Sequence, residues 1–198
     1  MRNESEWKLS EKLHAFLCDH VYSVKYADWE MREIRDKARQ ATHGDLEFIR
    51  GKHAAYVDEK AYSSVWDGCL VEVIQDVETK DLGWLFTLDS CTHLICGYYE
   101  SRDAEDPQIV YKMPWPELRE KYWTLCEKKG LWHKGTGNGY GKTIFTKIPW
   151  PDVPGLEILY SSGDTVGKKC SCCGVSHTGK WSGDRCELCS AAEAGWQE

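Results

Sequence analysis

The chain has 198 residues, 41% of them hydrophobic, and its 17 glycines bring the apolar share to about half, the proportion of an ordinary globular domain rather than of a disordered or fibrous chain. That length supports one core with a small appendage; no apolar run nears the ~18 residues of a membrane span and no apolar signal core follows Met1-Arg2-Asn3-Glu4-Ser5-Glu6, so we expect a cytoplasmic protein with no membrane partner. The net charge of −7 excludes a generic basic nucleic-acid coat, and only residues 111–150, with eight basic against three acidic side chains, form a stretch suited to gripping an anion.

From residue 5 to about 21, Trp7, Leu9, Leu13, Phe16 and Leu17 recur at helical spacing and predict a first helix with one face toward a core. The charged stretch 28–40 predicts a second, mostly solvated helix, ended by Gly44 as a C-cap. Residues 46–49 and 54–60 are short β-type runs joined by Arg50-Gly51-Lys52-His53, which predicts a hairpin. The apolar, β-branched runs 70–77 and 91–99 predict inner strands of the same sheet, with 79–88 between them as a turn or a helical bridge. Trp115-Pro116-Glu117 opens a helix that lasts to Cys126 or Lys128. Five glycines between 130 and 141 predict a loop, 143–148 a further strand, and Pro149, Pro151 and Pro154 an end to regular structure. The loop is not a phosphate-binding P-loop, because the position five before Gly141 is Thr136 rather than glycine. The result is an α/β fold over residues 1–165 and a separate block over 166–198.

The most informative stretch is Gly44-Asp45-Leu46-Glu47-Phe48-Ile49 followed by Ala55-Tyr56-Val57-Asp58-Glu59-Lys60-Ala61. Side chains alternate across a strand, so Asp58 and Lys60 share one face, Glu59 takes the other, and Asp45 enters from the neighbouring strand. Two carboxylates and an ammonium thus converge at a sheet edge. Carboxylates hold a hard divalent cation such as Mg²⁺ or Mn²⁺, which polarises a phosphate and acidifies a bound water, while a lysine beside it orients that water and offsets transition-state charge. The backbone carbonyl of Glu59 is a further candidate ligand. The plain alternative is an exposed strand pair, since Asp-X-Lys is a common tripeptide.

In these residues the chain resembles the PD-(D/E)XK nuclease superfamily, whose restriction-endonuclease-like fold has a central mixed sheet flanked by helices. There an Asp precedes, by one hairpin, a strand bearing (Asp/Glu)-X-Lys, here Asp45 and Asp58-Glu59-Lys60. The segment Asp36…Gln40…Gly44-Asp45 is also similar to that of phage and bacterial members whose next strand carries a Glu and is followed by Gly-Trp, here Glu72 and Gly83-Trp84. No Pro precedes Asp45, and Glu11 is the nearest fit to the Glu that many members place in the first helix. The resemblance spans roughly residues 5–125. It implies a deoxyribonuclease, catalytic Asp45, Asp58, Lys60 and Glu72, a Mg²⁺ or Mn²⁺ held by Asp45, Asp58 and the Glu59 carbonyl, DNA as partner, homodimers as in many members, and a setting in phage or mobile-element DNA processing or defence. Glu72 fits equally well as a structural hydrogen-bond partner on an apolar strand.

Of ten cysteines, Cys18, Cys69, Cys91, Cys96 and Cys126 lie among apolar residues and read as small core side chains. The tail holds Cys170-Ser171-Cys172-Cys173, twelve residues, then Cys186-Glu187-Leu188-Cys189. Two such knuckles bring four thiolates to a tetrahedral Zn²⁺ with no open position, a structural zinc ribbon; spacing favours Cys170, Cys173, Cys186 and Cys189 as ligands, with Cys172 competing in the first knuckle.

Between 111 and 150, Lys112, Arg119, Lys121, Lys128, Lys129, Lys134, Lys142 and Lys147 are interleaved with Trp115, Tyr122, Trp123, Trp132, Tyr140, Phe145 and Trp150. Cations neutralise phosphates and aromatic rings stack on bases; the alternative is that the rings are core and the lysines ordinary surface. The leading expectation is therefore a metal-dependent deoxyribonuclease, against a nuclease-fold protein with an inactive site that docks nucleic acid or a protein through its ribbon and basic aromatic surface. A block of ~30 residues buries too little to fold without its metal. Chelation of the reduced protein is expected to strip one zinc per chain and melt the tail, and metal analysis finding a zinc stoichiometry near zero would refute the ribbon.

Overall fold

The structure is a computed structural model that describes residues 4–64, 68–129, 133–134, 143–162, 181–182 and 185–186. Helix α1 (Glu4–Leu17) forms where the apolar spacing predicts, burying Leu9, Leu13, Phe16 and Leu17. It runs on through one π-helical stretch, Cys18–Tyr22, into a short turn α2 (Ser23–Lys25). Strand β1 (Glu30–Glu33), helix α3 (Lys37–His43), and strands β2 (Leu46–Arg50) and β3 (His53–Tyr62) follow, the last two joined by the expected tight turn. Next come β4 (Gly68–Asp76), β5 (Asp81–Leu82), α4 (Trp84–Thr87), β6 (His93–Tyr98), β7 (Ile109–Pro114) and α5 (Trp115–Lys129). The chain continues through β8 (His133–Lys134), β9 (Ile144–Pro149), a 3-10 turn at Trp150–Asp152 and β10 (Glu157–Ser161), and ends in the short antiparallel pair β11 (Trp181–Ser182) and β12 (Arg185–Cys186).

The described strands form a mixed α/β arrangement. The larger sheet has the order β1-β2-β3-β6-β7-β10, antiparallel throughout except for the parallel pair β3 and β6. A second, antiparallel sheet runs β5-β4-β9-β8. One core lies between α1 and the larger sheet, built on Leu13, Leu17, Leu46, Phe48, Val57, Ile95 and Val110. The other joins the two sheets with α4 and α5, through Val71, Leu85, Leu94, Tyr98, Tyr111, Trp115, Leu118, Tyr122 and Trp150. The buried Trp115 indole donates to the Leu88 carbonyl at 2.6 Å, so its N–H is satisfied in the core.

Three expectations are corrected. Stretch 28–40 is not one helix: residues 30–33 are an edge strand, and α3 starts only after Asp36, whose side chain caps Arg39 N–H at 2.7 Å. All four β1 residues are exposed and charged side chains are ordinary on an edge strand, so the segment carries no apolar period to separate helix from strand. Strand β4 is not in the sheet of β6; it pairs with β9, some seventy residues on, and β3 takes β6 as its parallel neighbour. Strands β7 and β10 also form where no strand was expected. Of the basic aromatic segment, Trp115, Tyr122 and Trp150 are fully buried and so are not a stacking surface. Cys69, Cys91 and Cys96 are buried free thiols, as their apolar neighbours suggest. Of the expected zinc ligands, Cys186 ends β12, opposite Trp181, while Cys170, Cys173 and Cys189 lie outside the described residues.

Gly44 ends α3 at φ 97°, its N–H bonded to the Gln40 carbonyl at 2.9 Å. A Cβ there would meet Val57 O at 2.7 Å and Asp58 Cβ at 2.9 Å. Gly51, at φ 61° in the hairpin turn, has nothing within 4 Å of such an atom. Gly44→Ala is expected to destabilise the fold by at least about 2 kcal/mol, from left-handed strain plus the clash, against about 1 kcal/mol for Gly51→Ala, which has the strain alone; urea unfolding midpoints giving equal losses would contradict that close approach.

Candidate active site

The residue that enters the site first along the chain is Asp45, set between α3 and β2. Its backbone is fixed on both sides: its N–H donates to Val57 O at 2.9 Å and its carbonyl accepts from Ile34 N–H at 2.8 Å. Its side chain is fixed as well, with Oδ1 accepting from Gln40 Nε2 at 2.7 Å and Oδ2 from the Glu59 N–H at 3.0 Å. The short helix α3 thus carries both the glycine that lets the chain approach β3 and the amide that orients the carboxylate.

Register explains why Asp45 lies beside Asp58. Leu46 pairs with Val57, so the residue before one faces the residue after the other. In an extended strand the N–H and C=O of one residue point toward the same neighbour. Because the Glu59 N–H is turned toward Asp45, its carbonyl is turned to the same edge, beyond the last β2 pair.

Asp58 and Lys60 share a face of β3, as alternation requires, and the Lys60 ammonium is in ion-pair contact with Asp58 Oδ2. That oxygen nonetheless has no hydrogen-bond donor in proper alignment. Asp58 is 4% exposed. Burial is the largest influence on its carboxyl and, with the nearby Asp45 charge, outweighs Lys60, so its pKa is pushed up to about 6. Lys60 also lies 5.6 Å from the centre of the Trp84 ring, the geometry of a cation–π contact. Trp84 is placed there by Gly83, whose N–H bonds Val73 O at 2.9 Å and where any Cβ would meet Glu72 Cγ at 2.8 Å. The adjacency of Gly83-Trp84 to the site therefore has a packing reason: the glycine lets α4 lie against β4, which brings the indole to the Lys60 ammonium.

Glu72 stands on β4, in the other sheet. Among the described residues no three His, Cys, Asp or Glu side chains gather as one ligand group, so Asp45 and Asp58 come together and Glu72 does not complete a trio with them. Tyr62, two residues beyond Lys60, stacks 5.0 Å from Tyr98, and its hydroxyl is held protonated mainly by burial and then by Cys96, Cys69, Asp58 and Glu72. Glu11, the helix carboxylate nearest the family pattern, instead accepts from the Trp7 indole at 2.6 Å on the exposed side of α1.

The side chain that sequence reasoning missed is Glu59 itself. On the opposite face of β3 it accepts from Tyr22 Oη at 2.6 Å and meets His14 Nδ1 at 3.0 Å, and that hydrogen bond raises the His14 pKa. Both partners come from the first helical segment, far away in sequence, so no local pattern announces them. Glu59 is anchored at its backbone by Asp45 and at its carboxylate by α1 and the π-helical stretch.

The chain matches no protein-family model, and no curated protein or solved structure is significantly similar to it.

The Asp58 environment has a direct consequence for stability. The folded carboxyl takes up its proton near pH 6 and the unfolded one near pH 3.9. Between those values the folded chain binds more protons, so stability falls as pH rises from about 4 to about 6 and stays lowered above. Asp58→Asn is expected to flatten that slope and to be more stable than the wild type at pH 7 by an amount of order 2 kcal/mol. Denaturant titrations across pH 4–7 check it; a variant that keeps the wild-type slope and loses stability would show that Asp58 is a net structural asset.

Proposed function

We propose that the protein is a divalent-metal-dependent nuclease with a restriction-endonuclease-like core and a C-terminal zinc ribbon, acting on DNA. The observation that carries this reading is the juxtaposition of Asp45, Asp58 and Lys60 at the end of the β2–β3 pair, where β3 runs parallel to β6. The order of helix, Asp45 at the entry to β2, Asp-X-Lys strand and parallel neighbour agrees with the mixed sheet that the sequence resemblance implies. DNA as the substrate, and a homodimer that cuts both strands, are what that resemblance adds.

The residues present fit a small hard cation. Asp58 Oδ2 is a buried oxygen without an aligned donor, each Asp45 oxygen accepts one hydrogen bond and keeps a lone pair, and the Glu59 carbonyl is turned to the same edge. Asp45, Asp58 and that carbonyl would hold Mg²⁺ or Mn²⁺, which when bound supplies Lewis-acid polarisation of the phosphate and a more acidic water. Gln40 and the Glu59 N–H keep the Asp45 carboxylate in one orientation. Lys60, whose ammonium is in ion-pair contact with Asp58, would orient the attacking water and offset charge on the phosphate oxygens. Trp84 limits the directions open to that ammonium. At the tail, Cys170, Cys173, Cys186 and Cys189 would hold Zn²⁺ as a fold-making element.

A second reading has its own observation: Asp58 is almost wholly enclosed, and an ion pair with Lys60 balances its charge without any metal. On that reading the chain is a nuclease-fold binding protein with an inactive site. Incubation of full-length protein with plasmid and single-stranded DNA in Mg²⁺ or Mn²⁺ separates the two. Cleavage is expected, reduced at least about 100-fold in Lys60→Ala and Asp58→Asn, with melting temperatures showing both variants folded. DNA binding with no cleavage in either metal, or cleavage untouched by both substitutions, would reject the nuclease assignment.

A further inference from the structure

The face of the larger sheet that carries Glu59 also carries a chamber of about 190 Å³. Packed interiors leave few voids larger than a water molecule, and an engineered cavity of about 150 Å³ is enough to take up benzene. This one therefore has room for a one- or two-ring molecule. Its walls include Tyr22, Tyr26, Trp29 and Phe48, with His93 and Lys112 supplying the polar groups. Tyr22 and Tyr26 stand 5.0 and 5.5 Å from Phe48, ring centre to ring centre. Such rings accept a flat guest by stacking or edge contact.

Charge at the mouth narrows the guest. Lys112, its side chain 22% exposed, lies 3.1 Å from Glu157, and Lys25 lies 3.2 Å from the same residue. Lys112 is the one formally charged side chain among the residues that line the chamber, and no carboxylate lines it, although Glu157 and, toward His93, Glu117 stand outside the lining. Arg50 adds a third cation, 4.5 Å above the Trp29 ring, though paired there with Asp28. Glu157 is itself 45% exposed, so an incoming anion can replace it on Lys112 without leaving a charge buried.

We propose that this chamber binds a planar aromatic ring bearing an anionic group, the ring against the wall that Tyr22, Tyr26, Trp29 and Phe48 form together and the anion on Lys112. The chamber opens on the opposite face of β3 from Asp58 and Lys60, so the proposal does not rest on phosphodiester hydrolysis. Two sources share that chemistry, an aromatic carboxylate and a nucleoside monophosphate.

Calorimetric titration of the full chain with indole-3-acetate and with adenosine 5′-monophosphate distinguishes the sources, and uncharged 3-methylindole serves as the control. At least one anionic probe is expected to bind in the sub-millimolar range. Lys112→Met should weaken it about tenfold, the worth of one charge-assisted hydrogen bond, and change 3-methylindole binding less than twofold. Ala55→Trp, which fills the chamber from β3, should abolish binding of every probe with no fall in melting temperature; if that variant does not fold, the Lys112→Met comparison decides. Failure of both anions to bind at millimolar concentration, or binding indifferent to Lys112→Met, would overturn the proposal.

Discussion

The candidate site depends on one carboxylate spanning a gap that the sheet ladder leaves open. Past the Leu46–Val57 pair, β2 gives way to the chain arriving from α3, and the Glu59 N–H of β3 would otherwise face that edge without a strand partner. Asp45 Oδ2 takes its place at 3.0 Å, while Gln40 holds the other oxygen. A side chain thus continues a backbone ladder and satisfies a half-buried donor that no strand reaches. Gly44 is the geometric condition for the contact, because any larger residue would push the loop off Val57 and Asp58. Helix α3 is short, but its cap, its glutamine and its terminal glycine all serve this junction.

From that junction β3 acts as a partition. Asp58, Lys60 and Tyr62 face the core between the sheets, while Val57, Glu59 and Ala61 face α1. Glu59 ties the two sides together, since its amide is held at the Asp45 edge and its carboxylate by Tyr22 and His14. Tyr22 in turn is a wall of the aromatic chamber. The π-helical stretch at Cys18–Tyr22 is the segment through which α1 delivers that tyrosine; such widened turns recur where a helix must re-aim a side chain. The acidic edge and the chamber are therefore linked by contiguous hydrogen bonds through a single residue, with the strand between them.

Much of this arrangement was legible in the residues. The hairpin, the alternation that puts Asp58 with Lys60, the glycine cap of α3, the first helix and the α5 start all follow from local rules, and each is governed by neighbours within about four positions. What escaped detection depends on long-range pairing. Strand β4 looks like an inner strand anywhere, and its long pairing is with the distant β9; β1 carries three charges and an exposed Met31 and declares no face; the anchoring of Glu59 needs a helical segment 37–45 residues upstream. Glu72 shows the same limit at the site: an acidic residue on an apolar strand is visible, but the sheet that strand joins is not.

Asp58 is where local stability and the rest of the fold disagree. A carboxyl at this depth is disfavoured in its charged form, as its pKa of about 6 records, and its ion-paired oxygen lacks an aligned donor. Replacing a buried ion pair with packed apolar side chains is often neutral or stabilising, so burial alone gives no reason to keep one here. Around it, by contrast, each feature is locally consistent: the α3 cap, the Gly44 turn, the Asp45 hydrogen bonds, the Trp84 ring beside Lys60. A buried, ionisable and costly group among neighbours that each have a local reason is the pattern expected where a site's chemistry, rather than its packing, sets the residue. The scaffold stabilises the edge firmly enough to hold one carboxylate partly out of reach of solvent, with a proton affinity high enough to respond near neutral pH.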